Sequence, residues 1–461
     1  MKPKIDLQKA STAEKIWYAL GDTGVQLVNI FVMSYITLYY TNSVGIAAAV
    51  VGTIMMVAKL TDGVSDLIFA FIMERCHFKM GKARPWLLIS GPLMGISVLL
   101  TFNVPVTLSA TGKVVYTFLT YTFMQAIAIT IFWLAYNSLF PLISHDPQDR
   151  NVIQSGVSFC ANGAGMLITF LVPFAFAAWG GITEPGCWSK ISIIIAVLTT
   201  VFIVVSAFVC KEKDDSDLID EKKESGNENQ EMPLKKENTL EVAKIVFSQK
   251  RTWVVLFIFF CFNCFQGMAA FRTYICLYAL GDVNLSIYSK AAVTATAVTM
   301  LISLVVPTMF KKSGRGNSII LGVITSGIGF IGMFFFGRNA TGYFIFNLLS
   351  VVGTVPMMIG IYTYVSDLSD VITRTYKINA ASFCAVCGSF GTKLGSGVGT
   401  ALVGWMLAWV GFDATAEQMS SETLTGILGC GTFVPLAIEV LGLIFCIVVE
   451  RISKNDAAEM A

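Results

Sequence analysis

Lys59-Leu60-Thr61-Asp62-Gly63-Val64-Ser65-Asp66 is a charged octet inside an otherwise apolar run that extends from Ala47 to Phe71. The run predicts a membrane-spanning helix, because about 20 apolar residues rising 1.5 Å each cross a hydrocarbon core about 30 Å thick. One lysine and two aspartates then sit at bilayer depth. An ionised side chain there costs roughly 2.5–3.5 kcal/mol on insertion scales, so such residues mark a substrate, ion or proton path. Asp62 and Asp66 are one helical turn apart and Lys59 lies one turn before Asp62, which predicts that all three share a face.

The rest of the chain fits that environment. Of its 461 residues, 55% are hydrophobic and only 13% charged, with a mean hydropathy of +0.70. That leaves too little polar surface for a soluble chain of this length, so the expected class is an all-α polytopic membrane protein. The first apolar run is too long for a cleavable signal and lacks a small-residue cleavage site, so it is expected to stay as the first span. No basic stretch is interleaved with aromatics, and a nucleic-acid partner is not expected. The lipid bilayer and a small-molecule solute are the expected partners, with a monomer as the expected state.

Most of the eleven cysteines fall inside the expected spans. The pairs Cys261/Cys264 and Cys384/Cys387 read as small packing residues rather than a redox or metal site. The two histidines, His77 and His145, fall in expected loops. No metal-ligating cluster results, and no cofactor is expected beyond a coupling cation (Na⁺, Li⁺ or H⁺).

Spans are expected near 15–40, 46–73, 85–104, 113–142, 151–178, 189–210, 252–280, 287–310, 318–336, 341–365, 379–411 and 423–449. Residues 211–250 are polar and form the single long loop between them. The expected organisation is therefore an N-terminal six-helix bundle (1–210), a flexible, solvated cytoplasmic linker (211–250) and a C-terminal six-helix bundle with a short tail (251–461). With both termini and the linker on one side, that side collects 25 of the 32 Lys and Arg residues. The opposite side has four: Lys113, Lys190, Lys290 and Arg338. Such an asymmetry predicts cytoplasmic termini in a multi-pass protein of the cell membrane. Asn284-Leu285-Ser286 and Asn339-Ala340-Thr341 are sequons on the outer side and read as chance matches.

Six plus six spans around a cytoplasmic loop is the plan of the major facilitator superfamily. A weak internal repeat agrees with it, since Gly81-Lys82-Ala83-Arg84 follows span 2 and Lys311-Lys312-Ser313-Gly314-Arg315-Gly316 follows span 8. More specific stretches resemble the glycoside–pentoside–hexuronide:cation symporter family. They are Tyr18-Ala19-Leu20-Gly21-Asp22 with Tyr39-Tyr40-Thr41-Asn42, and Asp62 to Asp66 followed by Gly81-Lys82-Ala83-Arg84-Pro85-Trp86. Pro141-Leu142-Ile143-Ser144-His145-Asp146-Pro147-Gln148-Asp149-Arg150 is similar to a third family stretch. In the second half the resemblance is carried by Tyr274, by Tyr278-Ala279-Leu280-Gly281-Asp282, by Asp370, and by Lys393-Leu394-Gly395-Ser396-Gly397 with Gly404-Trp405. These pieces run in the family's order over nearly the whole chain.

Depth favours a working role for the octet. A span ending near Glu74 puts Asp62 roughly 18 Å and Asp66 roughly 12 Å from its cytoplasmic end, near the middle of the core. Two carboxylates facing one cavity repel unless a cation or proton lies between them. Sodium prefers hard oxygen ligands, and Ser65 and Thr130 offer hydroxyls. The resemblance implies the same set, with Asp62, Asp66, Ser65 and Thr130 holding the coupling cation. The alternative is a structural pair between Lys59 and an aspartate. Lys393, about 14 residues into span 11, is again near mid-depth. It lies among Gly391, Gly395, Gly397 and Gly399, whose spacing predicts close approach by another helix. An interhalf link from Lys393 to Asp62 or Asp66 is expected to respond to cation occupancy. Asp22, shallower in span 1, is read as a gate or a packing residue.

The solute side breaks the family pattern. The resemblance implies charged sugar ligands at positions that fall on Gln26, Trp133 and Val157, and none of these is charged. Gln26 still donates and accepts hydrogen bonds. Trp133 and Tyr136 are candidates to stack on a pyranose ring, with Asn137 reaching a hydroxyl; the alternative is that both aromatics pack helices. Arg272, rimmed by Tyr274 and Tyr278, is a new charge that either reads an anionic solute or snorkels outward. Glu439 in span 12 is an isolated charge without an assigned partner. Secondary symport of a sugar, glycoside or uronide by alternating access, coupled to Na⁺ or H⁺, is the leading expectation. A related symporter of a non-sugar solute is the alternative. A membrane enzyme lacks a nucleophile–base constellation near the polar centre, and a receptor does not account for mid-depth carboxylates.

Overall fold

The computed structural model describes residues 9–459, apart from residues 77, 79, 82, 145–146, 213–238, 377, 379–380, 415 and 417–418. His77, Lys82, His145 and Asp146, and most of the expected linker, lie outside the described residues. The described chain is helical almost throughout. The first unit holds α1 (Thr12–Leu38, continued by a π-helical turn at Tyr39–Ser43), α2 (Ala48–Arg75) and α3 (Arg84–Thr101). It continues with α4 (Ala110–Phe123 and Thr130–Ile143, joined by a π-helical stretch at Met124–Ile129), α5 (Pro147–Trp179) and α6 (Pro185–Val209). The second unit holds α7 (Lys250–Gly267, continued to a π-helical end at Ile275–Ala279), α8 (Ser286–Ser313) and α9 (Arg315–Phe336). It ends with α10 (Ala340–Tyr376), α11 (Ala381–Trp409) and α12 (Ser421–Glu459).

Each expected span falls on one of these helices. Among the described residues, ten helices are long and apolar enough to cross a membrane. The remaining two of the twelve are α2 and α11, 28 and 29 residues long, which carry Lys59, Asp62 and Asp66 in one case and Lys393 in the other. Exposed apolar side chains such as Leu301 (66%) and Leu304 (75%) on α8 suit a hydrocarbon solvent rather than water.

The chain divides into two compact units, Met1–Asn227 and Glu228–Ala461. Their packing repeats: α1 lies against α5 and α6 as α7 lies against α11 and α12, and α3 meets α6 as α9 meets α12. The two basic loops do equivalent work at the cytoplasmic ends expected for them. Arg84 Nε and Nη2 donate to the Ala207 and Phe208 carbonyls at the end of α6 (both 3.1 Å). Arg315 Nε donates to Glu450 on α12 (2.7 Å). Small residues set the helix approaches. Thr199 Oγ1 on α6 donates to the Gly24 carbonyl of α1 at 2.8 Å, and a Cβ on Gly24 would lie 3.2 Å from the Thr199 carbonyl.

The linker expectation needs correction. Residues Thr239–Ser248 form a helix rather than solvated coil. Val242 and Val246 are buried in the core of the second unit beside Val255 and Ile258, with Ile245 packed on them. The signal was an apolar spacing of three and four residues at Val242, Ile245 and Val246, hidden by the charged residues before it.

Candidate cation and solute sites

Asp62, Ser65 and Thr130 come together. Thr130 Oγ1, at the start of the last segment of α4, donates to Asp62 Oδ1 on α2 at 2.8 Å. Ser65 Oγ donates to the Asp62 carbonyl at 2.9 Å and lies 3.2 Å from Thr130 Oγ1. All three side chains are buried, Thr130 to 1% exposure. A hydroxyl has one proton and two lone pairs. With both protons directed at Asp62 oxygens, lone pairs of Ser65 and Thr130 remain available as acceptors. The result is a cluster of hard oxygens from two helices. Asp66 is half-buried one turn further along α2.

The π-helical stretch is what presents Thr130. Its hydroxyl also reaches the Gln125 carbonyl at 3.4 Å, across the π-helical turns that precede it. Gln125 itself was missed by the sequence reading. It is 3% exposed, and its Oε1 accepts a 2.6 Å hydrogen bond from the Lys59 ammonium. A lone glutamine in the apolar run before Thr130 was the available signal. The π-register that aims it at Lys59 has no sequence signature.

Asp22 is 2% exposed on α1 and is partnered by the Gln26 side chain, while its Oδ2 has no hydrogen-bond partner. Tyr136 requires a correction. Its ring stacks on Tyr18 (centroids 4.1 Å apart, 13° between planes) and on Phe132 (5.1 Å). Its hydroxyl donates to the Tyr18 carbonyl and the Tyr18 hydroxyl returns a bond to the Tyr136 carbonyl, both at 3.0 Å. At 3% exposure Tyr136 is a clamp between α1 and α4, not a platform for a pyranose. Trp133 is half-buried with its ring edge-on to Tyr136 (6.1 Å), and Asn137 is exposed.

In the second unit the glycine stripe of α11 has an identified neighbour. A Cβ on Gly391 would meet the Leu256 carbonyl at 2.6 Å, and those on Gly395 and Gly399 would meet the Phe260 and Cys264 carbonyls. The helix that approaches is therefore α7. Half-buried Lys393 is carried on this tightly packed pair. Tyr274 is also corrected: it is 0% exposed, stacked on Tyr278 (6.0 Å) and edge-on to Phe412 (5.4 Å), so it does not rim an open site. Glu439 has partners that the sequence did not assign. Its Oε2 accepts a 2.5 Å bond from Ser326 on α9, and it interacts electrostatically with half-buried Arg272.

A family model described as MFS/sugar transport protein matches residues 17–450. The chain is 28% identical over 440 residues to the inner membrane symporter YicJ of Escherichia coli K12, covering 92% of this chain and 88% of that one. It is 26% identical over 443 residues to the isoprimeverose transporter of Lactiplantibacillus pentosus, covering 92% and 85%. Among solved structures it resembles an inward-facing, unoccupied bacterial homologue of the lysosomal transporter Spinster (TM-score 0.67, 12% identity, 95% of this chain and 96% of that one). It also resembles the partially occluded, inward-open xylose transporter XylE from E. coli (TM-score 0.60, 12% identity, 93% and 98%). The helical order, the repeated packing of the two units and the match along nearly the whole chain agree: this protein is a multi-pass membrane protein of the MFS/sugar transport family, with the major facilitator fold.

Proposed function

We propose that this chain is a secondary active symporter that couples uptake of a sugar-type solute to Na⁺ or H⁺ by alternating access. The observation that carries the reading is the Asp62–Ser65–Thr130 oxygen cluster, buried about halfway along α2, the helix expected to be the second span. A charge at that depth is costly unless it has work to do. The relatives named as a symporter and as an isoprimeverose transporter support a sugar or glycoside as the solute. Asp66, one turn from Asp62, completes the proposed donor set.

In this reading a cation draws Asp62, Asp66, Ser65 and Thr130 onto one centre and relieves the repulsion between the two carboxylates. Solute binding and cation binding raise each other's affinity by the same factor. Termini and linker face the cytoplasm, as the distribution of Lys and Arg favours. The alternative of a non-sugar solute draws on the absence of charge at Gln26, Trp133 and Val157.

The deciding experiment is uptake of labelled glycosides into proteoliposomes under imposed Na⁺, Li⁺ or H⁺ gradients, for wild type and Asp62→Asn. Gradient-driven accumulation in wild type and its loss in the variant are expected. Accumulation retained in Asp62→Asn would remove the coupling role from this site. A solute panel in the same vesicles separates sugar from non-sugar transport.

A further inference from the structure

Gln125 touches the oxygen cluster from two directions. Its side-chain Oε1 accepts from the Lys59 ammonium at 2.6 Å, and its backbone carbonyl takes the longer contact of the Thr130 hydroxyl at 3.4 Å. The shorter bond of that hydroxyl, 2.8 Å, goes to Asp62. Gln125 is 3% exposed, and Lys59 is half-buried on the α2 turn just before Asp62. All four residues belong to the first unit, two on α2 and two on the stretch of α4 packed against it.

An ammonium has three donors and no acceptor, and a poorly solvated interior makes a missing partner costly. The bond to Gln125 is short even beside charge-assisted N–H···O bonds, which usually span about 2.7–2.9 Å. An amide differs from a carboxylate in one respect that matters here: it holds the ammonium without cancelling its charge. Lys59 and Asp62 are three residues apart on one helix, a spacing that sets their Cβ atoms about 5–6 Å apart. A lysine stem can bring its ammonium to a carboxylate across that gap. Drawn fully onto Asp62, it would put a tethered cation on the oxygens proposed to receive a mobile one.

We propose that Gln125 is a positioning residue: it anchors the Lys59 ammonium on a neutral acceptor of α4, restrains an internal competitor for the Asp62 oxygens, and so sets the affinity of the site for an alkali cation. The inference rests on the reading of Asp62, Ser65 and Thr130 as that site and names what tunes it. Charge fixes the sign of two substitutions. Removing the acceptor releases the ammonium to compete for Asp62, which weakens cation binding. Replacing the amide by a carboxylate pairs Lys59 and cancels its positive charge beside the site, which strengthens cation binding. A residue that only filled space in the π-helical stretch would strengthen binding in neither variant.

The test uses the full-length protein purified in detergent, with binding of radioactive Na⁺ and its displacement by Li⁺ as the readout, so that no solute is needed. Binding in wild type that is lost in Asp62→Asn assigns the signal to this cluster. Gln125→Leu is expected to raise the Na⁺ concentration for half-maximal binding by about tenfold or more, the scale of an opposite charge brought beside a carboxylate, with the number of bound ions unchanged. Lys59→Met in the Gln125→Leu background is expected to restore it. Gln125→Glu is expected to lower that concentration severalfold, and its shape, matched to glutamine, lets it read the proposal even if Gln125→Leu does not fold. Weakened or unaltered binding in Gln125→Glu overturns the inference and leaves the cation site standing. So does a Gln125→Leu defect that persists without the lysine. If neither Na⁺ nor Li⁺ distinguishes wild type from Asp62→Asn, the reading of the cluster as an alkali-cation site fails and the inference with it.

Discussion

Thr130 Oγ1 on α4 donates to Asp62 Oδ1 on α2 across 2.8 Å, and this bond joins two helices through residues 68 positions apart in the sequence. A hydrogen bond to a charged acceptor contributes about 1.5–3 kcal/mol. Valine has nearly the shape of threonine but no hydroxyl. Thr130→Val is therefore expected to raise the cation concentration for half-maximal uptake by about tenfold or more, while Thr130→Ser restores it. Uptake titrated against Na⁺, Li⁺ and pH reads the effect. Unaltered cation dependence in Thr130→Val would exclude Thr130 from the donor set.

The charged octet was legible because a lysine and two aspartates in an apolar run have few structural excuses. Periodicity put Lys59, Asp62 and Asp66 on one face, and the structure gives Asp62 and Ser65 one hydroxyl contact network with Thr130. The partner helix was less legible. Gln125 reaches Lys59 only through the π-helical register before Thr130, and a one-residue widening of a helix leaves no mark in composition. Tyr136 misled for a different reason. An aromatic aimed at a cavity and one stacked on Tyr18 have the same spacing along α4, and only tertiary packing separates them. Arg272 and Glu439 each looked solitary because their correlation spans 167 positions of chain.

Asp149 ties the N-terminus of α1 to the start of α5. It accepts hydrogen bonds from the Ala10 amide (2.8 Å) and from the Lys15 ammonium. It precedes the membrane-spanning part of α5, which begins at Val152. Burial alone would raise its carboxyl, but Lys15, the Ala10 amide and Ser144 together hold it below the usual carboxylate value. A pKa depressed on folding stabilises the native state above the unfolded value of about 3.9, and that stability is lost as pH falls through the folded value. Wild-type melting temperature in detergent is expected to fall below about pH 4, and Asp149→Asn to lose about 1 kcal/mol at neutral pH with a flatter acid limb. Parallel pH–melting curves for the two proteins would refute the assignment.

Arg315 closes one end of the second unit through its Nε and Nη1 groups. It donates to Glu450 (2.7 Å), Asp367 (2.6 Å) and Thr363 (2.8 Å), and its guanidinium lies 4.0 Å from the Tyr364 ring centre. Lysine preserves the charge but neither the fork nor the stacking plane. Arg315→Lys and Arg315→Met are therefore both expected to destabilise, by about 1–2 kcal/mol after discounting for the exposure of Asp367. Thermal unfolding of the purified protein measures this. Full stability in Arg315→Lys would show that charge alone holds the three helix ends.

Gly395 marks a close approach of α11 to α7, where an added Cβ would press on the Phe260 carbonyl and the Cys264 amide. Backbone cannot move aside as a side-chain tip does, so the two helices must separate to admit a methyl group. Gly395→Ala is expected to cost about 1–3 kcal/mol, the usual penalty for overpacking. Gly163→Ala on α5 is the control, because nothing lies within 4 Å of the Cβ it would add. There alanine is expected to stabilise slightly, by up to about 1 kcal/mol, through helix propensity alone. Melting temperatures moving in opposite directions would confirm that the stripe around Lys393 exists to bring α7 close. If Gly395→Ala were as mild as the control, the stripe would have to be explained by something other than that contact.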